Sequence, residues 1–375
     1  MRSGYLFFFL IASLVLSSCV KDEVLNSEAD ILEVIVPKEI LKMDPVLENN
    51  RITIRVKPET DLSHQSPRFA LSKGASISPE SGTELDFTQP RIYKVSSQDG
   101  NSHKEYTIAF IVAEITSHFD FEHFRLDESG KYHVFYEVDV NGVNIMDWAS
   151  GNAGFAMTAG DMSANLYPTT YTEIGNNKHA LQLSTKRTGS FGAMFKKPIA
   201  AGNLFMGTFD VSAALGNPLL AVKMGVPFER KPDFLRGTFK YKPGNVYVRV
   251  VENAQGELVI EEFTNGEYTD SWDIYAIFYD NNGGTLMLDG TSRFTHENLI
   301  SVARIDPQHA IETDQWAEFE IPFVQKPGKA VDPQKLANGG YNISIVITSS
   351  IDGDFFRGGV NSTLLIDELE IIFTE

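Results

Sequence analysis

The sequence predicts an all-β protein: a small β-sandwich followed by a larger antiparallel β-sandwich, behind a short N-terminal export segment. Three observations lead there. Period-two alternation recurs along the chain, as in Ile52-Thr53-Ile54-Arg55-Val56 and Tyr106-Thr107-Ile108-Ala109-Phe110, giving each segment one apolar and one polar face. Only Pro333 to Asn338 reads even briefly helical, so the crossover helices that a parallel sheet requires are missing from the pattern. The 29 Gly, 26 Phe and 13 Tyr, with few Ala/Glu/Lys/Leu runs, oppose a helical bundle.

The chain opens with Met1-Arg2, an apolar run from Tyr5 to Leu16, and then Leu16-Ser17-Ser18-Cys19. A short positive region, an apolar core and small residues before a cleavage point read as a secretory signal over residues 1–18. The run falls short of the roughly 20 residues that span a bilayer. Leu-Ser-Ser-Cys resembles a bacterial lipobox, which implies that Cys19 is the lipidated first residue of the mature chain, with residues 19–30 as a tether. Cys19 is also the sole cysteine, so no intrachain disulfide or multi-cysteine zinc site can be built. Lys21-Asp22-Glu23, directly behind it, resembles the surface-export signal of Bacteroidetes lipoproteins. The expected address is therefore the outer membrane, lipid-anchored and exposed at the cell surface.

Residues 31–113 form the first unit. Its alternating segments are separated by Pro58-Glu59-Thr60-Asp61, Ser78-Pro79-Glu80-Ser81-Gly82 and Gln98-Asp99-Gly100-Asn101, whose Pro, Gly and Asp favour tight turns. Short strands at this spacing fit a small sandwich. The order Pro58…Thr60-Asp61-Leu62, Gly74-Ala75-Ser76-Ile77-Ser78-Pro79, Asp86-Phe87-Thr88-Gln89-Pro90 and Tyr106-Thr107-Ile108 resembles the immunoglobulin-like module of Bacteroidetes surface lipoproteins. That resemblance implies a stalk.

Residues 114–375 form the second unit. Strand candidates include Lys131 to Val140, Ala180 to Ser184, Asn245 to Val251, Tyr275 to Tyr279, Asn342 to Thr348 and Leu364 to Phe373. So many strands without crossover helices predict a two-sheet jelly roll or another sandwich. Several pieces in order resemble the putative carbohydrate metabolism domain, a β jelly-roll family: Trp148-Ala149-Ser150-Gly151-Asn152, Gly225-Val226-Pro227-Phe228, Gly237-Thr238-Phe239-Lys240-Tyr241, Asp273-Ile274-Tyr275-Ala276 and Leu364-Leu365-Ile366-Asp367-Glu368-Leu369. The resemblance implies glycan binding or glycan processing on a jelly roll.

Candidate ligand contacts follow from residue chemistry. Trp148, beside Ser150-Gly151-Asn152, reads as a loop tryptophan whose indole face could stack on a sugar ring, with Asn152 offering both donor and acceptor. Arg230, Tyr241, Asp273 and Tyr275 form a polar-aromatic set that would converge over one sheet face. On the last strand, strict alternation puts Asp367 with Leu365, Leu369, Ile371 and Phe373, where a lone carboxylate is costly. It then needs backbone N–H groups, a basic side chain or a cation. Likeness to carbohydrate-binding sandwiches with a calcium on the final strand makes Glu122 and Asp367 candidate ligands of a structural calcium; no other cofactor is expected.

Lys+Arg number 32 against 50 Asp+Glu, a formal charge of −18 with scattered cations, which excludes nucleic acid as a partner. GxSxG, HExxH and P-loop patterns are absent from the sequence, and 50 acidic residues make any carboxylate pair chosen by eye uninformative. The expected function is a surface lipoprotein that binds polysaccharide through its C-terminal jelly roll, beside neighbouring glycan-uptake proteins, and is not primarily an enzyme. The alternatives are a glycoside hydrolase or lyase on the same fold, or an adhesion subunit that binds protein.

Overall fold

A computed structural model describes residues 25–373 apart from 49, 113, 215 and 265, so Cys19 and Lys21-Asp22-Glu23 lie outside the described residues. The first unit holds a five-stranded sheet ordered Val46–Glu48, Arg51–Arg55, His103–Ile111, Arg91–Ser96, Ser76–Ser78, with Ile31–Ile35 and Arg68–Leu71 paired separately. The alternation seen in the sequence does its expected work. Ile52, Ile54, Tyr106, Ile108 and Phe110 are all buried, and they pack with Phe87, Tyr93 and Val95 into one core.

The second unit is a β jelly roll whose strand pairs are all antiparallel among the described residues. One sheet runs Thr169–Gly175, Lys178–Ser184, Thr363–Phe373, Pro232–Lys242, Thr313–Pro322, with His118–Phe119 added to Thr363–Phe373. The facing sheet runs Asn203–Phe205, Tyr341–Thr348, Asp273–Asp280, Leu299–Arg304, Val324–Gln325. Between them lies the main core, which includes Leu181, Leu235, Phe239, Ile274, Ala276, Phe278, Ile345 and Ile366. The second sheet is covered on its other face too: Phe205, Tyr275, Ile277, Tyr279 and Val346 form a separate buried cluster there. Burial on both faces explains why Ile274-Tyr275-Ala276-Ile277-Phe278-Tyr279 is a continuous apolar run instead of an alternating one.

The cover is built from segments the sequence reading left without structure. Besides the expected helix, Pro333–Ala337, there are short helices at Asn152–Ala159, Gly189–Met194, Val211–Ala214 and Pro218–Ala221. Glycine in the first two lowers helix propensity and neither carries an amphipathic stripe, so periodicity could not reveal them. Tertiary packing holds them, as with Phe155 buried against Tyr132 and Tyr167.

The two units are docked. Ala109 and Ile111 bury against Ile145. Arg51 Nη2 donates to the Asn144 carbonyl at 2.8 Å and Arg55 Nη2 to that of Ile145 at 2.6 Å. Lys42 Nζ meets Glu229 Oε1 at 2.5 Å in a buried ion pair.

One expectation about the closing strand fails. Thr238 pairs with Asp367 and Arg236 with Glu370, so Gly237 alone opposes Glu368 and Leu369. This is a β-bulge, and Glu368 adopts φ 50°. The extra residue reverses the parity: Leu364, Ile366, Leu369 and Ile371 face the core, and Asp367 does not share a face with Leu369 and Ile371.

Candidate functional site

A cleft of about 210 Å³ opens on the covered face of the second sheet. Strand register builds its floor. Asn203 lies opposite Thr348, and Thr348 opposite Asp273, making one cross-strand row. The next row is Phe205, Val346, Tyr275 and Arg304. Five connections form the walls: the helix at 152–159 (Gly154, Phe155, Met157), the segment 188–201 (Phe191, Phe195, Lys197), the segment 209–222 (Phe209, Ala214, Leu219), the segment 290–293 (Gly290, Arg293) and the loop 350–356 (Asp354, Phe356).

Charge in the cleft is matched. Asp273, 3% exposed, accepts from Arg304 Nη2 at 2.8 Å and from its Nε at 3.1 Å. Burial pushes the Asp273 carboxyl up, against the pull of that guanidinium. Arg293 Nη2 donates to Asp354 Oδ2 at 2.6 Å and Nη1 to the Gly290 carbonyl at 2.8 Å, with the guanidinium 5.8 Å from the Tyr275 ring centre. Burial drives the Tyr275 phenol strongly upward, so it remains a neutral hydroxyl. The mouth is apolar: Phe191 and Phe195, 43% and 45% exposed, pack edge to face at 5.2 Å, beside exposed Met157.

Of the six ligand contacts expected from sequence, Asp273 and Tyr275 line the cleft and four lie elsewhere. Trp148 is 2% exposed and belongs to the inter-sheet core. Its Nε1–H donates to Glu137 Oε1 at 2.8 Å, and its ring meets Phe119 edge-on at 5.3 Å. The expected exposed indole fails because the Trp148 N–H bonds to the Phe135 carbonyl and Ala149 bridges to Phe205, so this segment is pinned between strands. Asn152 is fully buried and closes its loop on Thr169, donating to its carbonyl at 2.8 Å and accepting its N–H at 3.1 Å. Tyr241 is buried between the sheets. Arg230 lies over the Phe373 ring at 4.4 Å and pairs with Glu114 at 3.3 Å.

Asp367 sits on the first sheet and Glu122 just before the strand Phe124–Leu126, both away from the cleft. Glu122 accepts from the His179 N–H at 3.0 Å and meets His179 Nδ1 at 2.8 Å; these bonds outweigh desolvation and hold its carboxyl below the usual range. Burial, then the neighbouring Glu368 and Glu122 charges, push Asp367 up to about 6, while it accepts the Glu368 N–H at 2.9 Å. Among the described residues no group of three or more His, Cys, Asp or Glu is placed to hold a metal ion.

The aromatic mouth was missed because Gly189-Ser190-Phe191-Gly192-Ala193-Met194-Phe195 carries no strand pattern. The one available signal was the spacing of Phe191 and Phe195, one helical turn apart. Asp354 and Phe356 belong to Ser349-Ser350 and Asp352-Gly353-Asp354 before Phe355-Phe356-Arg357, a loop after the Asn342 to Thr348 strand that the sequence offers as a candidate group, its simpler reading being a turn stabilised by Asp side chains.

Fold and site define a two-unit β protein whose jelly roll carries a lined cleft on one sheet. The chain belongs to the family described as Putative carbohydrate metabolism domain, PCMD, which matches residues 120–372. Residues 44–109 match a second family, SGBP, N-terminal. Two crystal structures are similar. One, described as a putative glycoside hydrolase from Bacteroides thetaiotaomicron, is 43% identical with a TM-score of 0.84, over 95% of this chain and 99% of that one. The other, described as a putative glycoside hydrolase from Bacteroides vulgatus, is 40% identical with a TM-score of 0.61, over 70% of this chain and 99% of that one. Among curated proteins nothing matches.

Proposed function

We propose that the protein is a lipid-anchored glycan-binding protein of the cell surface, taking its ligand at the cleft on the second jelly-roll sheet. The observation that carries this reading is the cleft itself: ring side chains at the mouth over fixed ion pairs. Aromatic faces such as those of Phe191 and Phe195 stack on the C–H surfaces of sugars. Membership of PCMD and the match of residues 44–109 to SGBP, N-terminal, support a carbohydrate role and a surface address. The export segment and Cys19 support anchoring, with uptake proteins as neighbours.

The descriptions of the two similar structures favour hydrolysis as a second reading. Asp273 and Asp354 are the carboxylates that line the cleft, and each is paired with an arginine. A glycosidase needs one carboxyl that can carry a proton to the leaving oxygen beside a second that stays ionised. Two arginine-bound carboxylates suit binding better than that division of labour. The test is a polysaccharide affinity-gel and glycan-array screen of the chain from residue 20 onward, read for both retention and released sugar. Retention without product supports binding; product release that is abolished by Asp354→Asn or Asp273→Asn establishes the hydrolase.

A further inference from the structure

Polar side chains around the cleft are already used by the protein. Asn203 accepts the Gly151 N–H at 2.8 Å and donates to the Ala201 carbonyl at 3.1 Å. Thr348 Oγ1 donates to the Ser350 carbonyl at 3.1 Å, Ser350 Oγ to Asp270 at 2.5 Å, and Thr188 Oγ1 to the Lys197 carbonyl. Lys197 Nζ donates to the Ala214 carbonyl at 3.0 Å, and Asp273 is held by Arg304. Arg293 Nε and Asp354 Oδ1 lack a partner among the described residues, but both atoms are themselves buried. With these groups tied to the protein, a sugar ring sunk into this cleft finds few partners for its hydroxyls, and each one left unpaired costs roughly 10- to 100-fold in affinity.

The depth is instead aromatic and aliphatic: Phe155, Phe205, Phe209, Tyr275, Val346 and Phe356. An apolar cavity of about 150 Å³ accepts benzene, and this one offers about 210 Å³. Ring-lined walls favour an aromatic guest through edge-to-face contacts over a flexible alkyl chain, which also loses rotamer entropy on binding.

We infer that the depth of the cleft receives a single-ring aromatic acyl group esterified to the glycan, while the sugar chain lies across the mouth on Phe191 and Phe195. This rests on the glycan-binding reading and narrows its ligand to arylated polysaccharide.

Titration calorimetry on the chain from residue 20 onward, with three probes, tests it. The probes are methyl cinnamate, methyl hexanoate, and one xylo-oligosaccharide with and without a cinnamoyl ester. The aryl ester should bind at least about tenfold tighter than the hexanoate, and the esterified oligosaccharide about tenfold tighter than its stripped form. Ala214→Phe, which fills the cleft from its wall, should abolish aryl binding while the melting temperature holds. Exposed Phe191→Ala should weaken the oligosaccharide more than the free aryl ester. Equal binding of hexanoate and aryl ester, or aryl binding indifferent to Ala214→Phe, overturns the inference. If plain glycans bind and respond to Phe191→Ala while the aryl ester does nothing, the aryl pocket falls and the glycan reading stands. If the aryl ester binds in the cleft and no glycan does, the glycan reading falls, and with it the arylated-polysaccharide ligand.

Discussion

Replacing Glu137 with glutamine should change the pH dependence of stability in a way that can be calculated from the surroundings of this one side chain. Glu137 is 7% exposed and, among the described residues, its side chain has a single hydrogen bond, accepted from Trp148 Nε1 at 2.8 Å. Burial, with a smaller contribution from Asp120, pushes its carboxyl up to about 8 despite that bond. In the unfolded chain the group titrates near its ordinary value of about 4.3. The fold therefore holds a proton that the unfolded chain releases. Below the unfolded value both states are protonated and the group is neutral to stability. Above it, stability falls by about 1.4 kcal/mol per pH unit until the folded carboxyl ionises near 8, a total loss of about 5 kcal/mol. Glutamine retains an oxygen for the indole N–H and cannot titrate. The variant and the natural protein should thus be nearly equal below about pH 4, and the variant should lead by roughly 3.5 kcal/mol at pH 7. Urea unfolding at several pH values between these limits gives the difference directly, and other titrating groups cancel in it. Two parallel stability curves would refute the reasoning, because they would mean that Glu137 reaches water or a cation in solution.

Other expectations are simpler to state. Trp148→Ala should cost about 3–5 kcal/mol in unfolding free energy, as for a large buried aromatic, which chemical denaturation measures. Phe191→Ala, at an exposed position, should move stability by no more than about 0.5 kcal/mol yet reduce retention on a polysaccharide gel. Gly225→Ala should destabilise strongly, since φ is 135° there and a Cβ would lie 2.0 Å from Tyr279 Oη; a thermal melt decides it. Because Glu122 is bound to His179 and Asp367 takes the Glu368 amide, millimolar calcium should leave the melting temperature unchanged.

Most of the fold was legible because half-buried strands announce themselves by parity, as Ile52 and Ile54 do. Parity misled at Asp367, where one bulged residue reversed the faces of everything beyond it. Composition could not separate a loop tryptophan from a core one: Trp148 sits among Ser, Gly and Asn, but its neighbours in space are Phe119, Phe121 and Glu137. Asp273 and Tyr275 were recoverable because they share a strand face two residues apart. Phe191 and Ala214 were not, since five connections distant in sequence meet only when the second sheet has formed beneath them.

The junction between the two units has a practical consequence for anyone wishing to study the jelly roll alone. Cutting the chain near residue 114 would strip Ile145 of its apolar cover and withdraw both guanidinium donors from the carbonyls of Asn144 and Ile145. It would also leave Glu229 without Lys42. Such a fragment would carry a sticky, unsatisfied scar, and its aggregation would say nothing about the domain's own foldability.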